Sequence, residues 1–198
     1  MGMPKVDFDA MYAEIEKADP KAMTEYGIAM NEKTIEIMQK HGYLQKEEGR
    51  KEAVRYNKEL IQKFRRFLKG RKNKDRIYSD IRWYSDYNEM SGCTLKFNEM
   101  DEEHFNYILF NRVIRKVRGM SINDYFKVMD SLAVFGEFLK QEGLENSEVF
   151  LKVAIQKDKM KERISEYEKL NKLCDAEKIT EEEYGEKMEE LFGYGYME

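Results

Sequence analysis

Glu47–Lys69 reads EEGRKEAVRYNKELIQKFRRFLK, and winding it as an α-helix sorts its side chains into two faces. Tyr56, Leu60, Ile61, Phe64, Phe67 and Leu68 gather on a broad apolar face. Lys51, Arg55, Lys58, Arg65, Arg66 and Lys69 gather beside it in one basic stripe, with Glu52 and Glu59 at its far edge. Gly70 ends the helix, and Arg71-Lys72-Asn73-Lys74 makes a basic loop. An apolar face of this width needs other helices to cover it, and the rest of the chain supplies them.

Downstream, Ile77, Ile81 and Tyr84 fit helical spacing. Cys93-Thr94-Leu95-Lys96-Phe97 alternates as a strand does, with Phe105-Asn106-Tyr107 as its possible partner. The competing reading starts a helix at Asp101, because Phe105, Ile108, Leu109, Val113, Ile114 and Val117 repeat over three turns. Ser121 and Asp124 stand at capping-box spacing before a helix that is apolar over more than half its circumference, which places it mid-bundle. Gly143 stops it. Ser147 then opens a long helix through Phe150, Val153, Met160, Ile164, Tyr167, Leu170 and Leu173. Thr180 and Glu183 form a capping box for a last helix through Tyr184, Met188 and Leu191.

Upstream, a short helix is expected over Phe8–Lys17. Asp19-Pro20 reads as a cap followed by proline at the first helical position. A helix through Ala22, Met23, Tyr26, Met30, Ile37 and Met38 follows, stopped at His41-Gly42. The expected fold is therefore all-α, a multi-helix bundle closed by a C-terminal helical hairpin, with a small β-hairpin around residues 93–110 as the one alternative to helix. Residues 1–146 are assigned to a helical core, and 147–198 to a hairpin packed on that core or on a partner.

Composition agrees. Among 198 residues there are only 2 prolines and 12 glycines, and 37% are charged, which suits helices with narrow apolar stripes and long solvated faces. Cys93 and Cys174 are too isolated for a disulfide framework or a zinc site. No run of 18 apolar residues occurs, Met1–Asp9 lacks a signal-peptide core, and Val6 breaks the myristoylation motif that Gly2 would begin. A cytoplasmic protein without membrane association is expected.

Charge is polarised along the chain. Arg50–Arg76 holds 12 basic residues against 3 acidic, whereas Glu142–Glu198 holds 9 against 16. Dense positive charge is what phosphate contacts require. The candidate nucleic-acid surface is Lys51, Arg55, Lys58, Arg65, Arg66, Lys69, Arg71 and Lys72, continued by Lys74 and Arg76. Arg112, Arg115, Lys116 and Arg118 extend it if the two helices pack side by side, and Tyr78, Trp83 and Tyr84 are available to stack on bases. The plainer reading is a solvated helix face. No helix-turn-helix or RNP sequence accompanies the stripe.

Cys93, His104 and Asp101 are the only residues from which a thiol nucleophile, a base and an orienting carboxylate could be assembled. Such a cysteine is more often a buried apolar residue, and such a histidine a surface residue near a helix start. A di-metal bundle needs Glu-x-x-His pairs, which His41 and His104 do not make, so neither a metal nor a cofactor is expected.

The stretch Tyr167–Phe192, YEKLNKLCDAEKITEEEYGEKMEELF, resembles the SHOCT family of short C-terminal helical hairpins. Leu170 and Leu173, the turn Asp175…Ile179-Thr180-Glu181-Glu182-Glu183-Tyr184, and Lys187 and Leu191 carry the likeness. Glu177-Lys178 replaces the glycine usual before the isoleucine. The resemblance covers 26 residues and implies an oligomerisation or partner-binding element without chemistry of its own. Leu170, Leu173, Ile179, Tyr184, Met188 and Leu191 are then the interaction residues. The leading expectation is a non-catalytic interaction or adaptor protein that self-associates through this hairpin. Nucleic-acid binding through the stripe is the alternative, and a cysteine enzyme the third.

Overall fold

The structure is a computed structural model that describes residues 6–24, 27–90, 94–117 and 119–192. It is an all-α multi-helix bundle.

The N-terminal segment builds a small core of its own from Met11, Ile15, Ala22, Ile37 and Met38. Helix α1, Phe8–Ala18, is capped by Asp7, whose carboxylate accepts from the Ala10 amide at 3.0 Å. The helix expected from Pro20 to the His41-Gly42 stop forms only in its second half. Asp19 caps only one 3₁₀ turn, Pro20–Ala22, before the two-residue strands β1 (Met23–Thr24) and β2 (Gly27–Ile28) pair antiparallel. Local capping chemistry wins over apolar spacing here. Asn31 and Thr34 form a capping box at 3.1 and 2.8 Å that starts α2, Glu32–Lys40, and the Asn31 amide also donates to Asp19 at 2.9 Å. Tyr26 lies outside the described residues.

Helix α3, Glu47–Phe67, buries Ala53, Asn57, Leu60, Ile61 and Phe64 and ends at Gly70, whose φ of +84° suits a residue without a Cβ. Helix α4, Lys74–Met90, returns antiparallel along it, since Arg65 lies over Tyr78 and Lys58 meets Glu89.

The strand-like alternation after α4 does not become a strand. Residues 94–96 have no regular secondary structure, with Lys96 extended, and 97–99 form a 3₁₀ turn. Side-chain amides satisfy this backbone in place of a partner strand. Gln45 exchanges two hydrogen bonds with the Thr94 main chain, at 2.9 and 3.1 Å. Asn57 donates to the Leu95 carbonyl at 2.9 Å and accepts from the Phe97 amide at 2.9 Å, and Asn88 donates to Leu95 at 3.2 Å. Phe105-Asn106-Tyr107, the other half of the envisaged hairpin, is helical: α5 spans Glu102–Tyr107. It continues through a π-helical turn, Ile108–Arg112, into α6, Val113–Lys116. The Phe110 carbonyl in the π turn accepts from Arg163 at 3.0 Å.

Helix α7, Ile122–Gln141, is the buried central rod, opened by the expected Ser121–Asp124 box. Its Phe135 ring meets Phe64 at 4.9 Å, Phe97 at 4.8 Å and Phe150 at 5.5 Å, joining three parts of the chain in one aromatic cluster. At Gly136 a Cβ would stand 3.0 Å from that of Phe150 and 3.1 Å from the Ser147 carbonyl, so α8 approaches α7 as closely as glycine permits.

The long helix expected from Ser147 is two helices, α8 (Ser147–Ala154) and α9 (Lys157–Asp175). On either side of the break at Ile155–Gln156, Phe150 and Val153 of α8 and Met160 and Ile164 of α9 are buried in the same core. Asn146, not Ser147, precedes α8, in the left-handed region. Helix α10, Glu181–Phe192, starts at the expected Thr180–Glu183 box and folds back on α9. Phe150, Met160, Met188 and Phe192 share one core with Phe64 and Leu132, so packing is continuous across residue 146.

Candidate nucleic-acid interface

Arg55, Lys58, Arg65, Arg66 and Lys69 of the α3 stripe are exposed, as are Lys51, Arg71 and Lys72. Burial of Leu60, Ile61, Phe64 and Leu68 against the bundle fixes the helix rotation and turns the stripe outward. Three of these cations have carboxylate neighbours: Lys51 with Glu47 at 3.5 Å, Lys58 with Glu89 at 3.8 Å, and Arg71 with Glu137 at 3.0 Å. Arg55, Arg65, Arg66, Lys69 and Lys72 form no salt bridge among the described residues. The acidic residues of α9 and α10 form none with the stripe either.

Two grooves flank the stripe. Arg50, Lys51, Arg55 and Lys58 line a hollow of about 460 Å³ together with Glu47, Glu59 and Glu89. At the α3–α4 turn, Arg65, Arg66, Lys69 and Lys74 line a cleft of about 310 Å³ with Asp75 and Tyr78. The Arg65 guanidinium lies over the Tyr78 ring, 5.3 Å from its centroid.

Arg112 and Arg115 of the second basic run turn inward, Lys116 is exposed, and Arg118 lies outside the described residues. Arg112 donates to the Tyr107 hydroxyl at 2.9 Å, and Arg115 donates to Asn111 at 2.6 Å and lies over the Phe192 ring. Both are half-buried, and burial lowers the Arg115 pKa. Arg163, its pKa also lowered by burial, reaches the same ring. These cations hold α10 down: Asn111 donates to the Phe192 carbonyl at 3.2 Å, and Tyr167 meets the ring edge-on at 5.7 Å. Arg76 is likewise committed inward, to Asp80 at 2.7 Å and to Ser131.

Of the three aromatic residues expected to stack on bases, Tyr84 is excluded. It is fully buried, parallel to Phe105 at 5.6 Å, and burial holds its hydroxyl pKa well above the ordinary tyrosine value. Trp83 is half-buried against Tyr87. Tyr78 alone stands beside the basic groove.

Cys93 lies outside the described residues. His104 is fully buried rather than at the surface; its Nε2 donates to the Asn88 side-chain oxygen at 2.9 Å while Nδ1 has no hydrogen-bond partner. Burial lowers its pKa to about 4, so it is neutral at pH 7. Asp101 accepts from the His104 backbone amide at 2.9 Å as the cap of α5 and does not orient the imidazole. No group of three or more His, Cys, Asp or Glu among the described residues is arranged to hold a metal ion.

The hairpin residues face largely inward. Met188 is buried, and Leu170, Tyr184 and Leu191 pack against the main core, Tyr184 also donating to Asn171 at 2.8 Å. Leu173 and Ile179 are partly exposed outside that core. No described helix is long and apolar enough to cross a membrane.

Compared with known proteins, the chain matches no family model, no curated protein and no solved structure.

Proposed function

We propose that this chain is a cytoplasmic, non-catalytic nucleic-acid-binding protein that grips phosphates along α3, with Lys51, Arg55, Lys58, Arg65, Arg66, Lys69 and Lys72 as the contacting cations. One observation carries the reading: the α3 stripe is exposed, and Arg55, Arg65, Arg66, Lys69 and Lys72 have no carboxylate within salt-bridge distance among the described residues. A cation with an internal partner exchanges one ion pair for another on binding. A cation without one gains the full phosphate contact and releases a condensed counterion. The absence of a base-reading motif favours sequence-tolerant binding, and single strands would bring exposed bases within reach of Tyr78.

The test is retention on heparin and on immobilised single-stranded DNA. About six phosphate contacts correspond to a slope near −4 in log affinity against log salt. The triple variant Arg55→Glu/Arg65→Glu/Arg66→Glu is expected to flow through at low salt with an unchanged circular dichroism spectrum. Flow-through of the unaltered protein at low salt overturns the reading, and equal binding to anionic lipid vesicles would assign the stripe to a membrane surface instead.

Self-association through the SHOCT-like hairpin is a second reading, supported by partly exposed Leu173 and Ile179. It predicts a concentration-dependent mass in light scattering that Leu173→Glu/Ile179→Glu returns to that of a monomer.

A further inference from the structure

We propose that the cleft at the α3–α4 turn binds a terminal phosphate of a single-stranded nucleic acid, the phosphomonoester being held by Arg65, Arg66, Lys69 and Lys74. The choice of ligand rests on the nucleic-acid reading of the stripe; the cleft itself is distinguished by its charge balance. The larger groove further along α3 sets Glu47, Glu59 and Glu89 against its cations, and its ion pairs, such as Lys58 with Glu89, close within the groove. The α3–α4 cleft sets four cations against Asp75 alone, and none of the four forms a salt bridge among the described residues. Its volume of about 310 Å³ reaches the lower end of the range for small-ligand sites.

Two further features point to a doubly charged group rather than a backbone diester. Lys74 is the first residue of α4, where the helix dipole favours negative charge, so a cation there is locally misplaced until an anion joins it. Arg65 is already laid on the Tyr78 ring, so its planar donor fork loses less freedom on engaging phosphate than an unsupported side chain would. A phosphomonoester carries about −1.5 to −2 at pH 7 and offers three strong acceptor oxygens, whereas an internal diester carries a single charge. The cleft also takes up the end of the stripe, with Arg65, Arg66 and Lys69 belonging to both, so a strand lying along α3 would deliver its terminus there.

The experiment is fluorescence anisotropy at low salt with the full chain and one single-stranded oligonucleotide in three forms: 5′-phosphorylated, 3′-phosphorylated and unphosphorylated. One phosphorylated form is expected to bind about 5-fold or more tightly than the unphosphorylated strand, the effect of one added charge-assisted contact. Lys74→Gln, an exposed substitution at the cleft end of the basic surface, is expected to remove that preference, weakening the phosphorylated strand more than the unphosphorylated one. Equal affinity for all three strands overturns the cleft and leaves the stripe standing. A preference that survives Lys74→Gln also overturns it. Binding of none of them overturns the stripe and the cleft together.

Discussion

Arg65-Arg66 on α3 and Arg112…Arg115, from the end of the π turn into α6, look alike in sequence, each a pair of arginines beside aromatic residues on a helix. In the folded chain they do opposite things. The first pair faces solvent with no ion pair among the described residues, and the second is half-buried, hydrogen-bonded to Tyr107 and Asn111 and set over Phe192. A basic run is a ligand surface only where the rest of the chain has left it unused. That depends on contacts between residues far apart in sequence: Phe192 lies 77 positions beyond Arg115.

The sharpest test of this division acts on the second pair. Phe192→Ala removes the ring that Arg115, Arg163 and Tyr167 surround, at an expected cost of about 3 to 4 kcal/mol in urea unfolding. It should leave nucleic-acid affinity unchanged; a parallel loss of affinity would place the C-terminal helix in the binding surface.

Nearly as large is the effect expected at His104, the buried counterpart of the exposed charges. Its folded-state pKa of about 4 lies below the unfolded value, so between about pH 6.5 and pH 4 only the unfolded chain takes up the proton. That contribution to stability is intact above pH 7, falls through this window by on the order of 3 kcal/mol, and levels off below it. Chemical denaturation of the wild type and of His104→Gln at pH 7.5 and pH 5 isolates the term. Equal pH slopes would show that the imidazole protonates without difficulty in the folded chain.

Intermediate effects separate the two pairs directly. Arg115→Ala is expected to lower stability by about 2 kcal/mol and leave affinity alone, whereas Arg66→Ala should leave thermal midpoints alone and weaken strand binding about 3- to 5-fold, with a shallower salt slope. Smallest is Lys72→Ala, which removes one cation from the edge of the surface. An affinity loss of about 2-fold, read by anisotropy, is expected.

What the sequence made legible was local. The Ser121–Asp124 and Thr180–Glu183 boxes, the stop at Gly70 and the outward stripe follow from residues within a few positions of one another, and the fold has them. What it concealed was decided at long range. The apolar spacing from Ala22 to Met38 resembles a helix, but the Asn31–Thr34 box and the tie to Asp19 interrupt it. The α8–α9 break has no proline or glycine to announce it, and Phe150 before it and Met160 after it are buried in the same core. In the candidate site, Tyr78 and Tyr84 are indistinguishable by composition, and only the partners of α4 decide that one borders the cleft while the other is sealed against Phe105.

The amides of Gln45, Asn57 and Asn88 have an effect beyond holding residues 94–97 in place. An extended segment rich in Thr, Leu and Phe ordinarily presents a row of open donors and acceptors on which a neighbouring molecule can template a strand. Here the Thr94 amide and carbonyl, the Leu95 carbonyl and the Phe97 amide are already occupied by side chains from α3, α4 and the residues before α3. The backbone of this sheet-prone stretch is thereby already engaged by three neutral side chains, and exchanging Asn57 for an aliphatic residue would leave the buried Phe97 amide without its partner.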